Sequence, residues 1–492
     1  MITDGIFQHA VERPDHFAIL SNKKRITYSV LKEKLAAIAD RLRYFHHEGK
    51  ELRIGLLLDN SESFLEVFLG AAHVGALAIP FDPKWKRAQL NQVLQFTKPD
   101  VLFSTEDLLS QIDLDHLRCP VLEPANWRPL KEGRKNLLHS RSEQKQVTEL
   151  DDFYLGFTSG TTGLPKGFRR HHYSWTESFR VSNELFHLSA TDRIMAPGPF
   201  VHSLSLYAAC HALAIGSTFV LVDRFEAEKV TSLIEKEQVT TLYAVPTMLE
   251  ALLDQKEANL PHNIRLISSG DKVNEKTVKR VKAKWPHASL YEFYGTSETS
   301  FISFLDYQAP DVQVTSVGKP FPNVNLRIKA EKEAEIGALY VNSPMLFTGY
   351  DQNPEATQNV LKEGWYRTGD LAKVDQRGYL YLVGREKNRL ISGGLNIYPE
   401  EIERELKTRL GIDRLAIIGL PDPYWGEKLV LVLEEETSES NERLIEKAKT
   451  FLPAYQCPKE IHRLSPIPMT GSGKIARKQL KDRFLSQLEV QS

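Results

Sequence analysis

The chain has 492 residues, of which 41% are hydrophobic and 26% charged, and its net charge is −1. This balance is typical of a globular protein with about two to four folding units, and it excludes a fibrous or disordered chain. Lysines and arginines are scattered, so no nucleic acid is expected as a partner.

The cysteines and the first residues indicate the compartment. Cys119, Cys210 and Cys457 are far apart and form no CxxC pair, which disfavours structural zinc and a disulfide framework. The first residues lack the basic-then-apolar order of a signal peptide. We therefore expect a cytoplasmic protein.

The first 150 residues alternate between strand and helix patterns. Residues 54–58 form an apolar run that predicts a buried strand, residues 61–74 predict a helix, and residues 77–79 the next strand. Such alternation indicates parallel β-α units. Residues 121–150 are more polar and predict a surface connection.

Residues 154–167 combine glycines, hydroxyl side chains and one lysine after an apolar lead. Glycines let backbone N–H groups approach an anion, hydroxyls add donors, and Lys166 suits the outer phosphates. The spacing is not that of a P-loop, because Lys166 follows Pro165 and precedes Gly167; residues 471–474 fail the same test. The alternative interpretation is a flexible surface loop.

The β-α pattern resumes further along the chain. The apolar stretch 204–222 is interrupted by polar residues and predicts a helix followed by a buried strand, not a membrane span. Strand-like segments followed by helical patterns lie at 218–222, 240–243 and 264–267.

After about residue 310, strand-like runs at 324–328, 338–341 and 379–383 alternate with Gly- and Pro-bearing turns and indicate a β-rich subdomain. A compact α+β unit follows residue 387. Its first helix is predicted to begin at Pro399 and to end at Gly411, with acidic residues in the first turn and one apolar face.

Two later segments carry side chains suited to a nucleotide. In residues 291–298, Tyr294 could cover an adenine, Thr296 could donate to a phosphate and Glu298 could hold Mg²⁺. In residues 365–370, Asp370 could bind a ribose diol. The alternatives are a buried strand end with a polar cap and a β-turn in which Asp370 bonds local backbone.

Taken together, the glycine-rich segment, Tyr-Gly-Thr-Ser-Glu at 294–298, Thr-Gly-Asp at 368–370, Gly384-Arg385 and a C-terminal Gly-Lys at 473–474 resemble the acyl-adenylate-forming superfamily. The chain looks most like an acyl-CoA synthetase, and the resemblance covers nearly its whole length. It implies an α/β fold. The resemblance further implies a large N-terminal domain (1–386) with stacked β-α subdomains plus a β-rich subdomain, followed by a small mobile α+β domain (387–492).

The resemblance implies a two-step reaction. A carboxylate attacks the α-phosphate of Mg-ATP to give an acyl-adenylate and pyrophosphate, and the thiol of coenzyme A then displaces AMP. The expected substrate is a medium- or long-chain fatty acid, for which Ala208, Ala209, Ala212 and Ala244 could leave room. The alternatives are a ligase that loads an acyl carrier protein and a non-catalytic adenylate-binding sensor.

The resemblance also implies roles for single residues. Glu298 would bind magnesium, Tyr294 the adenine and Thr296 the AMP phosphate, while Asp370 and Arg385 would hold the ribose hydroxyls. The β- and γ-phosphates would be held by Thr158, Ser159, Gly160, Thr161, Thr162, Gly163 and Lys166.

A mobile C-terminal domain follows from the same resemblance. Lys474 would reach the reacting carboxylate and the α-phosphate only during adenylate formation, and Lys387 would be the hinge. Rotation would bring Gly393 and Gly394 against the site and leave a channel for pantetheine. A plain turn is the alternative for these two glycines.

Two positions bear on the acid. His202 stands where many acyl-CoA ligases have a histidine lining the carboxylate pocket, although a lone histidine between apolar residues is more often a core residue. Amino-acid-activating relatives carry Asp in this segment, so Phe-Val-His-Ser favours an acid without an amino group. Asp271 and Lys272 depart from many fatty-acyl relatives and form either a surface pair or an adjustment of the adenine contacts.

Overall fold

The computed structural model describes the chain except residues 46–49, 116, 125–126, 128, 132–145, 159–164, 257–259, 262, 331–335, 393–394, 435–438, 470–474 and 492. Of residues 129–131 and 487–491 it describes the backbone alone. The chain forms two compact units, one comprising Met1–Asn325 and Val341–Tyr366 and the other Leu326–Tyr340 and Arg367–Ser492. We refer to them as the large and the small unit.

The α-helices of the described residues are α1 (Asp4–Glu12), α2 (Tyr28–Leu42), α3 (Glu62–Val74), α4 (Arg87–Thr97), α5 (Glu106–Leu109), α6 (His172–Phe186), α7 (Ser203–Ala214), α8 (Ala227–Lys236), α9 (Pro246–Leu253), α10 (Glu275–Lys284), α11 (Pro354–Val360), α12 (Pro399–Leu410), α13 (Asn441–Lys449) and α14 (Arg477–Gln491). Short 3₁₀ turns lie at Arg43–Phe45 and Glu386–Asn388. No helix in this part of the chain is both long and apolar enough to cross a membrane.

The strands of the first half are β1 (Phe17–Leu20), β2 (Arg25–Thr27), β3 (Arg53–Leu57), β4 (Leu77–Pro80), β5 (Val101–Ser104), β6 (Val121–Leu122), β7 (Pro129–Lys131), β8 (Asp152–Thr158), β9 (Lys166–His171), β10 (Arg193–Met195), β11 (Thr218–Val220) and β12 (Thr241–Ala244). Those of the second half are β13 (Arg265–Ser268), β14 (Ser289–Tyr294), β15 (Ser303–Asp306), β16 (Lys319–Pro320), β17 (Asn325–Ala330), β18 (Gly337–Asn342), β19 (Gly349–Tyr350), β20 (Leu361–Lys362), β21 (Trp365–Val374), β22 (Leu380–Arg385), β23 (Leu390–Ser392), β24 (Leu395–Ile397), β25 (Leu415–Asp422), β26 (Gly426–Leu433) and β27 (Glu460–Arg463).

The large unit contains two sheets built largely from the predicted β-α units. One has the strand order β16-β15-β14-β13-β12-β10-β11-β1-β2 and the other β19-β9-β8-β4-β3-β5-β6-β7. Strands β10 to β14 run parallel to one another, and so do β3, β4 and β5. The prediction of parallel β-α units is confirmed.

Helix α3 shows how local sequence sets these boundaries. The Ser61 hydroxyl accepts from the Phe64 N–H at 3.2 Å, which satisfies a free donor of the first turn. The helix ends at Gly75, whose φ of 79° lies in the left-handed region that glycine adopts without steric cost. Strand β4 follows at once and packs its apolar side chains into the core.

Within the polar segment 121–150, which its composition predicts to be a surface connection, the described residues include two short strands. Val121 and Leu122 form β6, which pairs with β5 in parallel, and β7 follows. A run of two apolar residues is too short for a periodicity signal, so only the pairing with β5 reveals the strand.

The parallel strands β10, β12, β13 and β14 bring their carboxyl ends to one edge of the sheet. The chain reverses after β14, because β15 pairs with it antiparallel, with Tyr294 opposite Ser303. The turn at 295–302 therefore lies at the edge where ligands bind in open α/β sheets.

The small unit contains most of one sheet and all of another. The first has the order β17-β18-β21-β20, with β22 paired to β21, and the division between the units passes through β17, β18 and β21. The second has the order β24-β23-β26-β25, with β27 parallel to β26. The predicted β-rich texture is confirmed.

Both faces of the β25–β26 pair are covered. Alternate residues point to opposite faces of a strand, so Leu415 and Ile417 join the α12 and α13 side while Ala416 and Ile418 join the α14 side. Helix α12 begins at Pro399 and is followed by Gly411 with a φ of 68°, as predicted. The predicted domain boundary at residues 386 and 387 stays a prediction.

Candidate functional site

The glycine-rich segment joins two paired strands. Strands β8 and β9 are antiparallel, and Thr158 lies opposite Lys166 at their ends. This is a hairpin connection, unlike the strand-to-helix turn of a P-loop. The predicted phosphate-binding residues Ser159 to Gly163 lie outside the described residues. Lys166 is exposed, and its Nζ lies 5.3 Å from the centroid of the Tyr350 ring.

The turn after β14 carries the next predicted residues. A Cβ added at Gly295 would lie 1.8 Å from the Ser300 carbonyl oxygen, so only glycine permits this close approach. The Ser300 N–H donates to the Thr296 carbonyl at 3.0 Å, and the Thr296 N–H donates to the Thr299 hydroxyl at 3.0 Å. Tyr294 and Thr296 are half-buried at the rim of this turn.

The turn places Glu298 in a nearly buried position, 7% exposed. The Phe347 N–H donates to its backbone carbonyl at 2.7 Å, and the Tyr350 hydroxyl donates to its Oε1 at 3.1 Å. Burial first, and then the Glu298 charge, raise the pKa of Tyr350, so this phenol remains a donor at neutral pH.

The surroundings of Glu298 fit a magnesium ion that is shared with a nucleotide. Within the described ranges, no group of three or more His, Cys, Asp and Glu side chains could hold a metal ion on its own. Mg²⁺ in phosphoryl-transfer sites is commonly bound by one or two carboxylates plus substrate phosphates and water. A single carboxylate oriented by a phenol matches that pattern.

His202 lies next to the same turn. It immediately precedes α7, and the Ser203 hydroxyl lies 3.5 Å from the Ser297 hydroxyl. Its side chain is exposed, which is not the environment of a core histidine. Although part of His202 is accessible to solvent, the protein atoms packed around it displace enough water to lower the pKa of His202, against the opposing effect of Asp82, so the ring is neutral near pH 7.

The Lys272 ammonium contacts residues in and next to the sheet that contains β14. Its Nζ lies 3.0 and 3.1 Å from the two carboxylate oxygens of Glu292 and 2.9 Å from the Tyr307 hydroxyl. Burial raises the pKa of Glu292, while Lys272 opposes that rise. Because Glu292 belongs to β14, this contact supports the strand that ends at Tyr294.

In the small unit the structure brings Asp370 and Arg385 together. They lie opposite each other in the β21–β22 pair, and Arg385 Nε lies 2.6 Å from Asp370 Oδ1. The Asp370 N–H donates to the Thr368 hydroxyl at 3.0 Å, and Gly369 between them has a φ of 74°. Their contact with a ribose remains a prediction.

The predicted hinge and the C-terminal lysine belong to the small unit as well. Lys387 is exposed in the 3₁₀ turn Glu386–Asn388. Gly393, Gly394 and Lys474 lie outside the described residues. The flanking residues are described: Ser392 lies opposite Leu395 in an antiparallel pair, and Met469 forms a bridge with Ile475.

The sequence interpretation missed two residues beside Glu298. Tyr350 donates to the Glu298 carboxylate, and Arg170 of β9, which is 1% exposed, donates to the Ser297 carbonyl in the same turn. The sequence carries no clear signal for Arg170, because Lys-Gly-Phe-Arg-Arg-His at 166–171 has the polar content of a solvated strand and the burial of Arg170 is visible only in the structure.

Comparison with known proteins identifies the class to which this arrangement belongs. Residues 6–351 match the model of the AMP-binding enzyme family and residues 401–474 that of the AMP-binding enzyme C-terminal domain. The chain therefore belongs to the AMP-binding enzyme family, which confirms the resemblance to acyl-adenylate-forming enzymes, and its class is that of the AMP-forming acid–CoA ligases.

Individual relatives match over nearly their full length. An uncharacterized acyl-CoA ligase of Bacillus subtilis, YhfT, is 34% identical over 487 residues, 98% of each chain. A putative long chain fatty acid-CoA ligase of Staphylococcus aureus, VraA, is 32% identical over 490 residues, 99% of each chain. The fold matches that of MenE, an o-succinylbenzoate coenzyme A synthetase of Bacillus subtilis solved with ATP and magnesium. That match has a TM-score of 0.84 at 24% identity and covers 97% of this chain and 99% of the other.

Proposed function

We propose that the chain activates a medium- or long-chain fatty acid with ATP and transfers the acyl group to coenzyme A. The observation that carries the proposal is the grouping of Lys166, the Thr296 turn and Glu298 around Tyr350 within one unit. The 32% identity with a putative long chain fatty acid-CoA ligase over 99% of the chain supports the choice of acid.

The chemistry fits this grouping because it depends on positioning and charge more than on proton transfer. The acid is already a carboxylate near pH 7. Its oxygen attacks the α-phosphorus, and the bond from that phosphorus to the pyrophosphate oxygen breaks. Donors and cations beside the leaving pyrophosphate stabilise the charge that develops there. Thr158 and Lys166 would supply that stabilisation.

Other residues would hold the remaining parts of the substrates. Glu298 would hold magnesium, which supplies neutralisation of phosphate charge when bound. Thr296 would donate to the AMP phosphate, Tyr294 would cover the adenine, and neutral His202 would line the pocket of the acid. In the second step the thiol attacks the acyl carbonyl carbon and AMP leaves.

One observation favours a second candidate, an aromatic acid that carries a hydroxyl. The hydroxyls of Tyr207, Tyr243 and Ser182 are buried and make no well-formed hydrogen bond within the described part of the chain. The Ser182 hydroxyl lowers the pKa of both tyrosines against the stronger effect of burial, so the three groups lie close together. Buried hydroxyls without other partners would suit a polar substituent better than an alkyl chain, so this candidate requires that the cluster line the pocket of the acid.

An acid panel distinguishes the candidates. AMP release with coenzyme A is measured for saturated acids of increasing length and for benzoic and cinnamic acids with and without hydroxyls. We expect kcat/KM to be highest for a medium or long alkyl chain. A maximum for a hydroxylated aromatic acid supports the second candidate, and turnover with a holo-carrier protein but not with coenzyme A overturns the first.

The role of Lys474 is tested by separating the half-reactions. Lys474→Ala should abolish most acid-dependent ATP–pyrophosphate exchange while leaving thioester formation from supplied acyl-adenylate largely intact. Lys478→Ala, at an exposed position of α14, is the matched control. An equal loss in both half-reactions contradicts the role given to Lys474, and exchange by wild type excludes a non-catalytic sensor.

A further inference from the structure

Strand β9 carries a buried cation that the reaction outlined above does not use. Arg170 is 1% exposed, and it lies on the same face of β9 as Lys166, four residues earlier. Burial lowers the pKa of Arg170 to about 10, which still leaves the guanidinium charged at neutral pH. Burying a charge is costly unless it is paired or hydrogen-bonded, so the contacts of Arg170 must compensate for its burial.

Those contacts join three separate segments. Arg170 Nη1 donates to the Ser297 carbonyl at 2.7 Å, and this carbonyl belongs to the peptide group directly before Glu298. Its Nη2 donates to the Ser300 hydroxyl at 2.7 Å and to the Met345 carbonyl at 2.8 Å. Its Nε donates to the Ser174 hydroxyl at 3.1 Å, at the start of α6.

The segment that contains Met345 also holds Glu298 directly. Met345 is followed by Phe347 and Tyr350, which donate to the Glu298 backbone carbonyl and to its carboxylate. Arg170 thus binds both the turn that presents Glu298 and the segment that orients its side chain. A planar guanidinium with five N–H donors can make these bonds at once, and an ammonium cannot.

Tyr350 is fixed independently through its neighbour. The Asp351 side chain is 1% exposed, and its Oδ1 lies 2.8 Å from both Arg53 Nη2 and Arg169 Nη1. Arg169 is the residue before Arg170, so β9 anchors the Tyr350 segment from both of its faces. The Tyr350 phenol consequently bonds Glu298 while its ring faces Lys166 Nζ.

We propose that Arg170 and Tyr350 are positioning residues for magnesium-bound ATP, since they fix the Glu298 carboxylate in one geometry relative to Lys166. The proposal rests on the proposed roles of Glu298 and Lys166. Removing a single residue that orients a ligating side chain typically lowers the affinity for the metal about 10- to 100-fold. The expected consequence is a specific weakening of the magnesium-dependent part of ATP binding.

Calorimetry with a non-hydrolysable ATP analogue tests this without turnover. The dissociation constant is measured with and without Mg²⁺ for wild type, Tyr350→Phe, Arg170→Met and Arg170→Lys. Tyr350→Phe removes one hydroxyl, and we expect it to weaken binding about 10-fold with Mg²⁺ and less than twofold without it. Arg170→Met should lose at least as much, and Arg170→Lys should not restore binding although it keeps the charge.

Controls separate this role from a general effect on the fold. Tyr44→Phe changes a phenol at an exposed position of the large unit and should leave binding unchanged. Thermal unfolding of every variant shows whether the large unit remains folded. In pyrophosphate exchange, Tyr350→Phe should raise the Mg²⁺ concentration for half-maximal rate and leave the KM of the acid unchanged.

Two results overturn the proposal in different ways. If folded Tyr350→Phe and Arg170→Met both bind the analogue with the wild-type response to Mg²⁺, the two residues have only a structural role. If wild type binds the analogue equally well with and without Mg²⁺, or if Glu298→Gln binds it as wild type does, the proposed role of Glu298 is contradicted. The role given to Arg170 and Tyr350, which rests on it, is then contradicted as well.

Discussion

Replacing Arg477 by Met should destabilise the small unit far more than its position near the chain's end suggests. Arg477 begins α14, and its guanidinium makes two bonds to the Glu403 carboxylate, at 2.5 and 2.6 Å. It also donates to the Ile417 carbonyl at 2.8 Å, while the Ile417 N–H donates to Glu403 at 2.6 Å. The pair therefore ties α12, β25 and α14 together.

The magnitude follows from burial. The side chains of Arg477 and Glu403 are 16% and 8% exposed. Although burial by itself lowers the pKa of Arg477, its hydrogen bonds to Glu403 outweigh that effect and raise it. Removing one partner of such a pair leaves a buried charge without compensation and costs about 3 kcal/mol or more. That is a large fraction of the stability of a small domain.

Hydrogen exchange on the full chain measures the effect locally. A loss of about 3 kcal/mol should accelerate exchange of the β25 and β26 amides on the order of 100-fold, without a comparable change in the large unit. The double variant Arg477→Met, Glu403→Leu replaces both charges by apolar groups and should recover part of the protection, because the Ile417 N–H and carbonyl still lose their side-chain partners.

The matched control is Lys481→Met, also on α14. Lys481 pairs with Glu427 at 2.9 Å, but the two side chains are 35% and 28% exposed, so this change should cost no more than about 1 kcal/mol. Equal effects of the Lys481 and Arg477 substitutions would refute the reasoning from burial.

Two further predictions concern the large unit. In chemical denaturation, Lys272→Met should lower the free energy of unfolding of the large unit by about 3 kcal/mol, because the Glu292 carboxylate stays buried without its cation. The control is Asp271→Asn at the exposed neighbouring position, which should change this free energy by less than about 0.5 kcal/mol. Burial lowers the pKa of His211 to about 3, so protonation favours the unfolded state; the stability from its neutral ring is present above pH 6.5 and is lost as the pH falls toward 3. Fluorescence-monitored unfolding should show a loss of about 2 kcal/mol from this group between pH 7 and 5, and His211→Gln should lose less over that interval; an identical pH dependence would contradict the assignment.

Much of the fold could be predicted because its signals are local. The apolar periodicity and end signals of Pro399–Leu410 lie within a dozen neighbouring residues, and the structure has the helix with those bounds. The strand runs near residues 54, 218, 240 and 264 and the helices after them were equally readable. Strands β6 and β7 were not, because a pair of apolar residues becomes a strand only beside β5.

The candidate site divides in the same way. Its chemistry was visible in short motifs, since a phosphate or a metal ion requires certain residue types at certain spacings. The partners of those residues were not visible. The β9 sequence Lys-Gly-Phe-Arg-Arg-His looks like a solvated strand, yet β9 lies between β8 and β19 with Arg170 buried.

The sequence by itself therefore determined the class of enzyme and the residues proposed to bind ATP, because both depend on motifs of a few residues. Only the tertiary structure decided which charges are buried and what holds Glu298 in place. Arg53 and Asp351 are 298 positions apart, and Arg170 lies 127 positions before Ser297. Burial and pairing of such groups depend on segments that become neighbours only when the sheets assemble.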